Sequence, residues 1–240
     1  MHISPFLDKE EAVYYLSQKE RVEKIIATIC EQKADVIVLQ ETNNCFKEKL
    51  QKALGDNYQV CIHKQFLNSD VKVMMAYKKI IDGDINIKLY DKINGGNFAY
   101  TRWIELSYKG IEIVGLHASL PGSKEDTLRI KQRTFWKRIL EYIKENKDKN
   151  ALLIGDFNVF EKTAFHNSPS RAFADFKKLQ NRGWRVLKTD RIDDFSYCHK
   201  GQWDRQLDYA LLSPTFKYSH TFKMICFEQL SDHKMLIVQL

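Results

Sequence analysis

Several polar residues that could assist hydrolysis lie at the ends of apolar, strand-like runs. Five separated segments each place an acid, an amide or an imidazole at such a position: Glu41, His117, Asp156 with Asn158, Asp208, and Asp232 with His233. Loops at strand ends present side chains from a rigid base, and this is where ligands bind in open α/β sheets. Together the residues supply hard oxygen ligands and imidazoles, which indicates a magnesium-type site acting on phosphate.

Each of these residues has a simpler interpretation when it is taken alone. "GDFN" at 155–158 is typical of a turn, Glu41 of a solvated acid, and His117 of a hydrogen-bonded core histidine. Asp208 is harder to dismiss because it lies within the apolar run "QLDYALL". A buried carboxylate without a partner costs several kcal/mol, so Asp208 requires one.

The elements that would position these residues alternate between helical and extended patterns. Helices are predicted at 9–32, 44–54, 123–146 and 170–181, and strands at 35–39, 57–63, 71–77, 84–89, 98–107, 111–117, 151–154, 207–212, 216–227 and 233–240. Consecutive strands imply antiparallel pairing beside the helical crossovers. The pattern predicts a mixed α/β layered domain, with sheets packed face to face and helices outside.

Composition narrows the class of protein. No apolar run reaches the roughly 20 residues that span a bilayer, and the first residues lack a secretory pattern. Five scattered cysteines argue against a disulfide framework or a thiolate zinc site and indicate a cytoplasmic protein. A net charge of +7 favours an anionic partner. Trp136, Trp184 and Trp203 lie in or near basic stretches and could stack on bases, although core positions are the alternative.

The order of the motifs resembles the endonuclease/exonuclease/phosphatase superfamily, which includes DNase I-like and AP endonuclease-like nucleases. The similar segments are "ADVIVLQET" (34–42), "GLHAS" (115–119), Arg129 with Gln132, "GDFN" (155–158), "LDYALL" (207–212) and "SDH" (231–233). The resemblance implies a four-layer α/β sandwich, with two mixed sheets face to face and helices outside. We expect residues 1–240 to form a single domain, as a monomer.

The resemblance also implies roles on the metal side of the site. Glu41 is similar to the principal ligand of Mg²⁺ or Mn²⁺, and Asp232 to a further metal-side carboxylate. Asp156 would orient or deprotonate the attacking water, while Asn158 would hold a phosphate oxygen or the metal shell. Which of these residues acts as the general base is left open by the sequence.

On the phosphate side, Asp208 would accept a hydrogen bond from His233, fix its tautomer and favour its cationic form. His233 would then stabilise charge on the phosphate, and His117 would contact it. Arg102 could bind substrate from the neighbouring strand, with an ordinary surface arginine as the alternative.

One feature departs from the family pattern. Members usually begin with a strand ending in a metal-binding Asn, whereas this sequence begins "MHISPF" and has no Asn before Asn43. We expect the usual first strand to be missing. Either the start was assigned at an internal Met, or the strand is truly absent and leaves a sheet edge uncovered.

Family membership would give the reaction class and leave the substrate open. The positive charge favours a nuclease or nucleic-acid-end-processing phosphodiesterase. The first alternative is a phosphatase or phospholipase C-type hydrolase of inositol phosphates, phospholipids or nucleotides. The second is an inactive binding module that retains the fold.

Overall fold

A computed structural model describes residues 18–63, 72–80, 85–89, 100–118, 126–161, 169–170, 172–189, 195–199, 202–227 and 230–240. The helices in these ranges are α1 (Gln18–Glu31), α2 (Asn44–Leu54), α3 (Asp126–Glu145) and α4 (Phe173–Asn181). The strands are β1 (Val36–Thr42), β2 (Tyr58–Ile62), β3 (Lys72–Lys78), β4 (Ile85–Leu89), β5 (Trp103–Tyr108), β6 (Ile111–His117), β7 (Ala151–Asp156), β8 (Arg185–Val186), β9 (Tyr197–His199), β10 (Gln202–Arg205), β11 (Asp208–Leu212), β12 (Thr221–Ile225) and β13 (Met235–Gln239). None of these helices is both long and apolar enough to cross a membrane.

A smaller antiparallel sheet has the strand order β1-β3-β2. Alternate residues of β1 face opposite sides, so Ile37 and Leu39 pack against α1 and α2 while Val36 and Val38 face the other way. Helix α2 begins where the side chain of Asn43 accepts a hydrogen bond from the Phe46 amide at 2.9 Å. The bounds predicted for this helix are confirmed.

A larger sheet has the order β4-β5-β6-β7-β11-β8, with β6 and β7 parallel and the other pairs antiparallel. One face of this sheet packs against α3 and α4, through residues such as Leu153, Phe157 and Tyr209. The aromatic rings of Trp136 and Phe176 complete this layer from the helices.

The other face of the larger sheet meets the smaller sheet. Val73 and Met75 of β3 pack there against Ile104, Leu106 and Ala210. Since each sheet carries its helices on the opposite face, the layers follow the order helix, sheet, sheet, helix. The mixed α/β sandwich expected from the sequence is confirmed.

Some expectations require correction. The sequence predicts one helix, 170–181, in the mixed stretch 159–200, but this stretch also contains β8 and β9, and β10 follows it. Trp136 and Trp184 are 2% exposed, so base stacking by these two residues is wrong, whereas Trp203 is half-buried. The expectation that the family's first strand is missing and the start of the helix predicted at 9–32 both concern residues outside the described ranges, as does the side chain of Arg129.

Candidate active site

Three neighbouring strands of the larger sheet place one polar residue each in a single row. Asp156 of β7 lies at the centre, because its register partners are His117 of β6 and Asp208 of β11. Residues directly opposite one another on paired strands point to the same face. All three are buried, with exposures of 2 to 3%. The sheet therefore gathers two carboxylates and an imidazole away from bulk water.

Gly155 allows β6 and β7 to approach closely beneath this row. Its φ is +146°, and a Cβ at this position would lie 2.0 Å from the carbonyl oxygen of Leu116. We expected Gly155 to start a turn, but β7 continues through Asp156 before the chain leaves the sheet. Glycine is required here for clearance between strands and for its unusual backbone conformation.

Asp208 and His233 form a buried pair. His233 Nδ1 lies 2.7 Å from Asp208 Oδ2, and both residues are 2% exposed. Ser196 Oγ donates to the same Oδ2 at 2.8 Å and accepts from the backbone amides of Leu207 and Asp208 at 3.0 Å each. This serine fixes the carboxylate, which in turn fixes the imidazole ring.

The charges in this pair stabilise one another. Burial by itself would lower the pKa of His233, but the Asp208 charge and hydrogen bond, aided by the charges of Asp156 and Asp232, raise that pKa to about 9. Burial by itself would raise the pKa of Asp208, and the His233 charge holds that pKa below its ordinary value. His233 is therefore an imidazolium at neutral pH.

Asn158 orients Asp156. Asn158 has a φ of +50°, a left-handed conformation that asparagine tolerates better than most residues. Its backbone amide donates to Asp156 Oδ1 at 2.7 Å, and its Nδ2 donates to Asp156 Oδ2 at 3.0 Å and to the Ala118 carbonyl at 2.7 Å. Both carboxylate oxygens of Asp156 therefore accept hydrogen bonds from Asn158, which lies in the turn after β7.

Glu41 approaches the row from the smaller sheet. The pairing of β1 with β3 shifts register between Leu39 and Thr42, and Glu41 within this bulge has a φ of +52°. A bulge re-aims a side chain, and here it directs Glu41 toward His117. His117 Nε2 lies 3.7 Å from Glu41 Oε1 and 3.6 Å from Asp156 Oδ2, so two carboxylates flank one imidazole.

Arg102 ends a short 3-10 turn before β5 and lies near the same carboxylates. Burial lowers its pKa, and the charges of Glu41 and Asp156 act in the opposite direction. Arg102 is therefore partly buried beside the carboxylates of the candidate site.

Asp232 lies beside His233, at the edge of the group. Its backbone carbonyl accepts from the Cys198 amide at 2.7 Å. Burial raises the pKa of Tyr197, and the charge of Asp232 adds to this effect, as it adds to that of Asp208 on the pKa of His233. Tyr197 itself forms an isolated bridge with His233, and their rings lie 5.0 Å apart.

Part of the donor set fits a divalent cation. Asp156, Asp208 and His233 offer ligand atoms that all lie within 4.8 Å of one another. His233 is a poor ligand here, because its Nδ1 is engaged with Asp208 and the ring is cationic. The oxygens of Glu41 and Asp156 on either side of His117 fit a hard cation better, since Mg²⁺ prefers carboxylates and water.

Two residues of this group were missed from the sequence. Ser196 and Tyr197 belong to "FSYCH", a segment without strand-like alternation. Ser196 reaches the site through its hydrogen bonds with Leu207 and Asp208, and Tyr197 through its bridge with His233. A serine among mixed residues carries no sequence signal of its own. The buried Asp208 did indicate that a partner had to exist.

The model of the Endonuclease/Exonuclease/phosphatase family matches residues 12–233. No curated protein matches the sequence at a significant level.

Solved structures share the fold. An endonuclease/exonuclease/phosphatase family protein from Leptotrichia buccalis C-1013-b is 20% identical, with 98% of this chain and 95% of that chain covered and a TM-score of 0.63. The 3′-5′ exonuclease NExo from Neisseria meningitidis is 13% identical, with 93% and 95% covered and a TM-score of 0.71. An AP endonuclease from Archaeoglobus fulgidus is 15% identical, with 92% and 94% covered and a TM-score of 0.67.

Proposed function

The chain belongs to the endonuclease/exonuclease/phosphatase family, and from that premise we propose that it is a divalent-metal-dependent phosphoester hydrolase acting on nucleic acid. The observation that carries the proposal is the buried Asp208–His233 ion pair beside Asp156, His117 and Glu41. A net charge of +7 supports a polyanionic substrate, because basic side chains bind phosphates by releasing counterions. Neighbours of this fold include proteins named as nucleases and AP endonucleases.

In the proposed reaction, water attacks phosphorus in line with the leaving oxygen. Asp156, with both oxygens held by Asn158, orients that water and accepts its proton. His233, cationic through Asp208, donates a hydrogen bond from Nε2 to a phosphate oxygen and offsets the charge that develops there. Arg102 and His117 contact the remaining phosphate oxygens.

Glu41 and Asp156 would hold the metal, which we propose to be Mg²⁺ or Mn²⁺. Asp232, whose charge helps to raise the pKa of His233, would act on the metal through ordered water. When bound, such an ion polarises the phosphoryl oxygen and offsets its charge. The protein's own contribution is to position the two carboxylates and to exclude bulk water from His117.

The reaction is tested with bis-p-nitrophenyl phosphate. We expect turnover in Mg²⁺, its loss in EDTA, and a loss of about 10² or more in kcat for His233→Ala and Asp156→Ala. His220→Ala and Asp148→Ala serve as matched controls, because both residues lie outside the site. Turnover that persists in EDTA, or that is equal in all four variants, would reject the mechanism.

A second activity, removal of a terminal phosphate, has one supporting observation. NExo from Neisseria is named both as a 3′-5′ exonuclease and as a 3′ phosphatase bound to a product DNA hairpin. Oligonucleotides ending in a 3′-phosphate or a 3′-hydroxyl separate the two activities, because a phosphatase leaves the chain length unchanged. Turnover of inositol phosphates or phospholipids without turnover of oligonucleotides would contradict the nucleic-acid assignment.

A further inference from the structure

The two-stranded sheet of β9 and β10 carries an arginine on the same row as His233. Arg205 is the register partner of Tyr197, and Tyr197 in turn forms the bridge with His233. Residues paired in this way point to the same face. Two strand spacings separate Arg205 from His233, which places their backbones about 10 Å apart.

The guanidinium of Arg205 is held in one orientation. Its Cζ lies 4.9 Å from the ring centroid of Phe160 and 5.8 Å from that of Tyr197. Phe160 follows the turn that contains Asn158, so one ring comes from each of two segments of the candidate site. The guanidinium also forms an ion pair with Asp204, whose side chain is 2% exposed.

The ion pair with Asp204 leaves part of the guanidinium available. Asp204 Oδ2 engages Nε and Nη2, whereas Arg205 carries five N–H donors. Within the part of the chain that the structure describes, Nη1 has no protein acceptor, and 27% of the Arg205 side chain is exposed. A preoriented fork of donors beside a phosphate site is suited to an anion with several oxygens.

We propose that Arg205 binds a second phosphate of the substrate, next to the one that is hydrolysed at His233. This inference rests on the proposed function, because it requires a phosphate at His233. Each strand of a nucleic acid carries one phosphate per roughly 3.4 Å of axis, so a neighbouring phosphate lies within reach of a residue about 10 Å away. The ligand class is therefore a nucleotide unit with phosphates on both sides of its sugar.

The alternative is that Arg205 only fastens β10 to Asp204, and charge-balanced variants separate the two roles. Replacing Arg205 alone would leave the buried Asp204 without its cation and could unfold the protein. Asp204→Asn retains the arginine without its acid, and Asp204→Asn/Arg205→Met removes both charges. Arg185→Met is the matched control, because Arg185 pairs with Leu212 at the opposite end of β11 from Asp208.

The measurement is the affinity for thymidine 3′,5′-bisphosphate relative to thymidine 5′-monophosphate, by calorimetry in metal-free buffer. We expect wild type, Asp204→Asn and Arg185→Met to prefer the bisphosphate by about tenfold or more, as a charge-assisted hydrogen bond allows. The double variant should lose that preference. Arg205→Lys, which keeps a cation for Asp204 but lacks the planar fork, should retain only part of it.

No preference in the wild type, or a preference that survives in the double variant, overturns the inference. A full preference in Arg205→Lys overturns the role assigned to the planar guanidinium fork. These results do not depend on turnover, so they are distinct from a failure of the proposed function. A protein that binds the bisphosphate through Arg205 but does not hydrolyse bis-p-nitrophenyl phosphate would contradict the proposed hydrolysis. It would still support Arg205 as a phosphate-binding residue.

Discussion

Replacing Asp208 by Asn should destabilise the protein at neutral pH and leave it almost unchanged at high pH. Asparagine preserves the shape of the side chain and can still accept from Ser196, so the change removes mainly the charge that His233 requires. The wild-type pair draws its stability from an imidazolium next to a carboxylate. Above the pKa of His233 that imidazolium no longer exists.

The magnitude follows from the pKa of His233, which rises from 6.5 to about 9 on folding. At about 1.4 kcal/mol per pH unit, the buried ion pair contributes about 3 kcal/mol as an order of magnitude. Because the folded pKa is raised, this contribution is fully present below pH 6.5 and is lost as the pH rises toward 9. The pKa of Asp208 is lowered on folding, so its stabilising effect has the opposite pH dependence. That effect is present above the ordinary pKa of 3.8 and is lost as the pH falls below this value.

Urea unfolding of metal-free protein at pH 6.5, 7.5, 8.5 and 9.5 provides the assay. The difference in unfolding free energy between wild type and Asp208→Asn should be about 3 kcal/mol at the lowest of these pH values and near zero at the highest. Asp148→Asn, an exposed acid, should show no such dependence. A difference that stays constant across this pH range, or a His233 titration midpoint at or below 6.5 by NMR, would refute the reasoning.

Three further outcomes are expected. Gly155→Ala should lower the unfolding free energy by about 3 kcal/mol, because its Cβ would overlap the Leu116 carbonyl; an unchanged denaturation midpoint would contradict this. Mg²⁺ should raise the melting temperature of the wild type and not of Glu41→Gln, because a ligand stabilises only the state that binds it; an equal rise in both would remove Glu41 from the metal site. Gly115→Ala should weaken hydrolysis more than Gly110→Ala, because a Cβ at Gly115 would lie 2.6 Å from Val38 Cγ1; equal activity of the two variants would count against this effect.

The elements could be predicted from the sequence where a periodic apolar pattern ends at a polar residue or a glycine. β6 was predicted with its observed bounds because an apolar run ends at a single polar residue, His117. Helix α2 was predicted with its observed bounds because a helical stretch ends at Gly55, and the structure adds Asn43 as the cap of its other end. Asp208 could be identified from one residue alone, because a carboxylate within an apolar run has to find a buried partner.

Other features depend on contacts that spacing does not encode. β8, β9 and β10 have two to four residues each, too few for an alternating pattern to be recognised. β8 is fixed by pairing with β11, and the hairpin of β9 and β10 by the bridge between Tyr197 and His233. The bulge at Glu41 arises from the register of β1 on β3 and leaves no trace in "VLQET". For the same reason the row that joins Arg205 to His233 is visible only in the structure.

The candidate site is divided between the two sheets, and this division makes its geometry depend on how the sheets pack. Glu41 belongs to β1, whereas His117 and Asp156 belong to the larger sheet. The distance between the two sheets is determined beneath the site, where Val38 of β1 packs on Gly115 of β6. There is no room for another methyl group at this contact. Protein interiors transmit such changes in volume rather than absorbing them, because they are close-packed. A methyl group at this contact would therefore separate Glu41 from His117, so the packing between the sheets sets the spacing of the carboxylates that would share the metal.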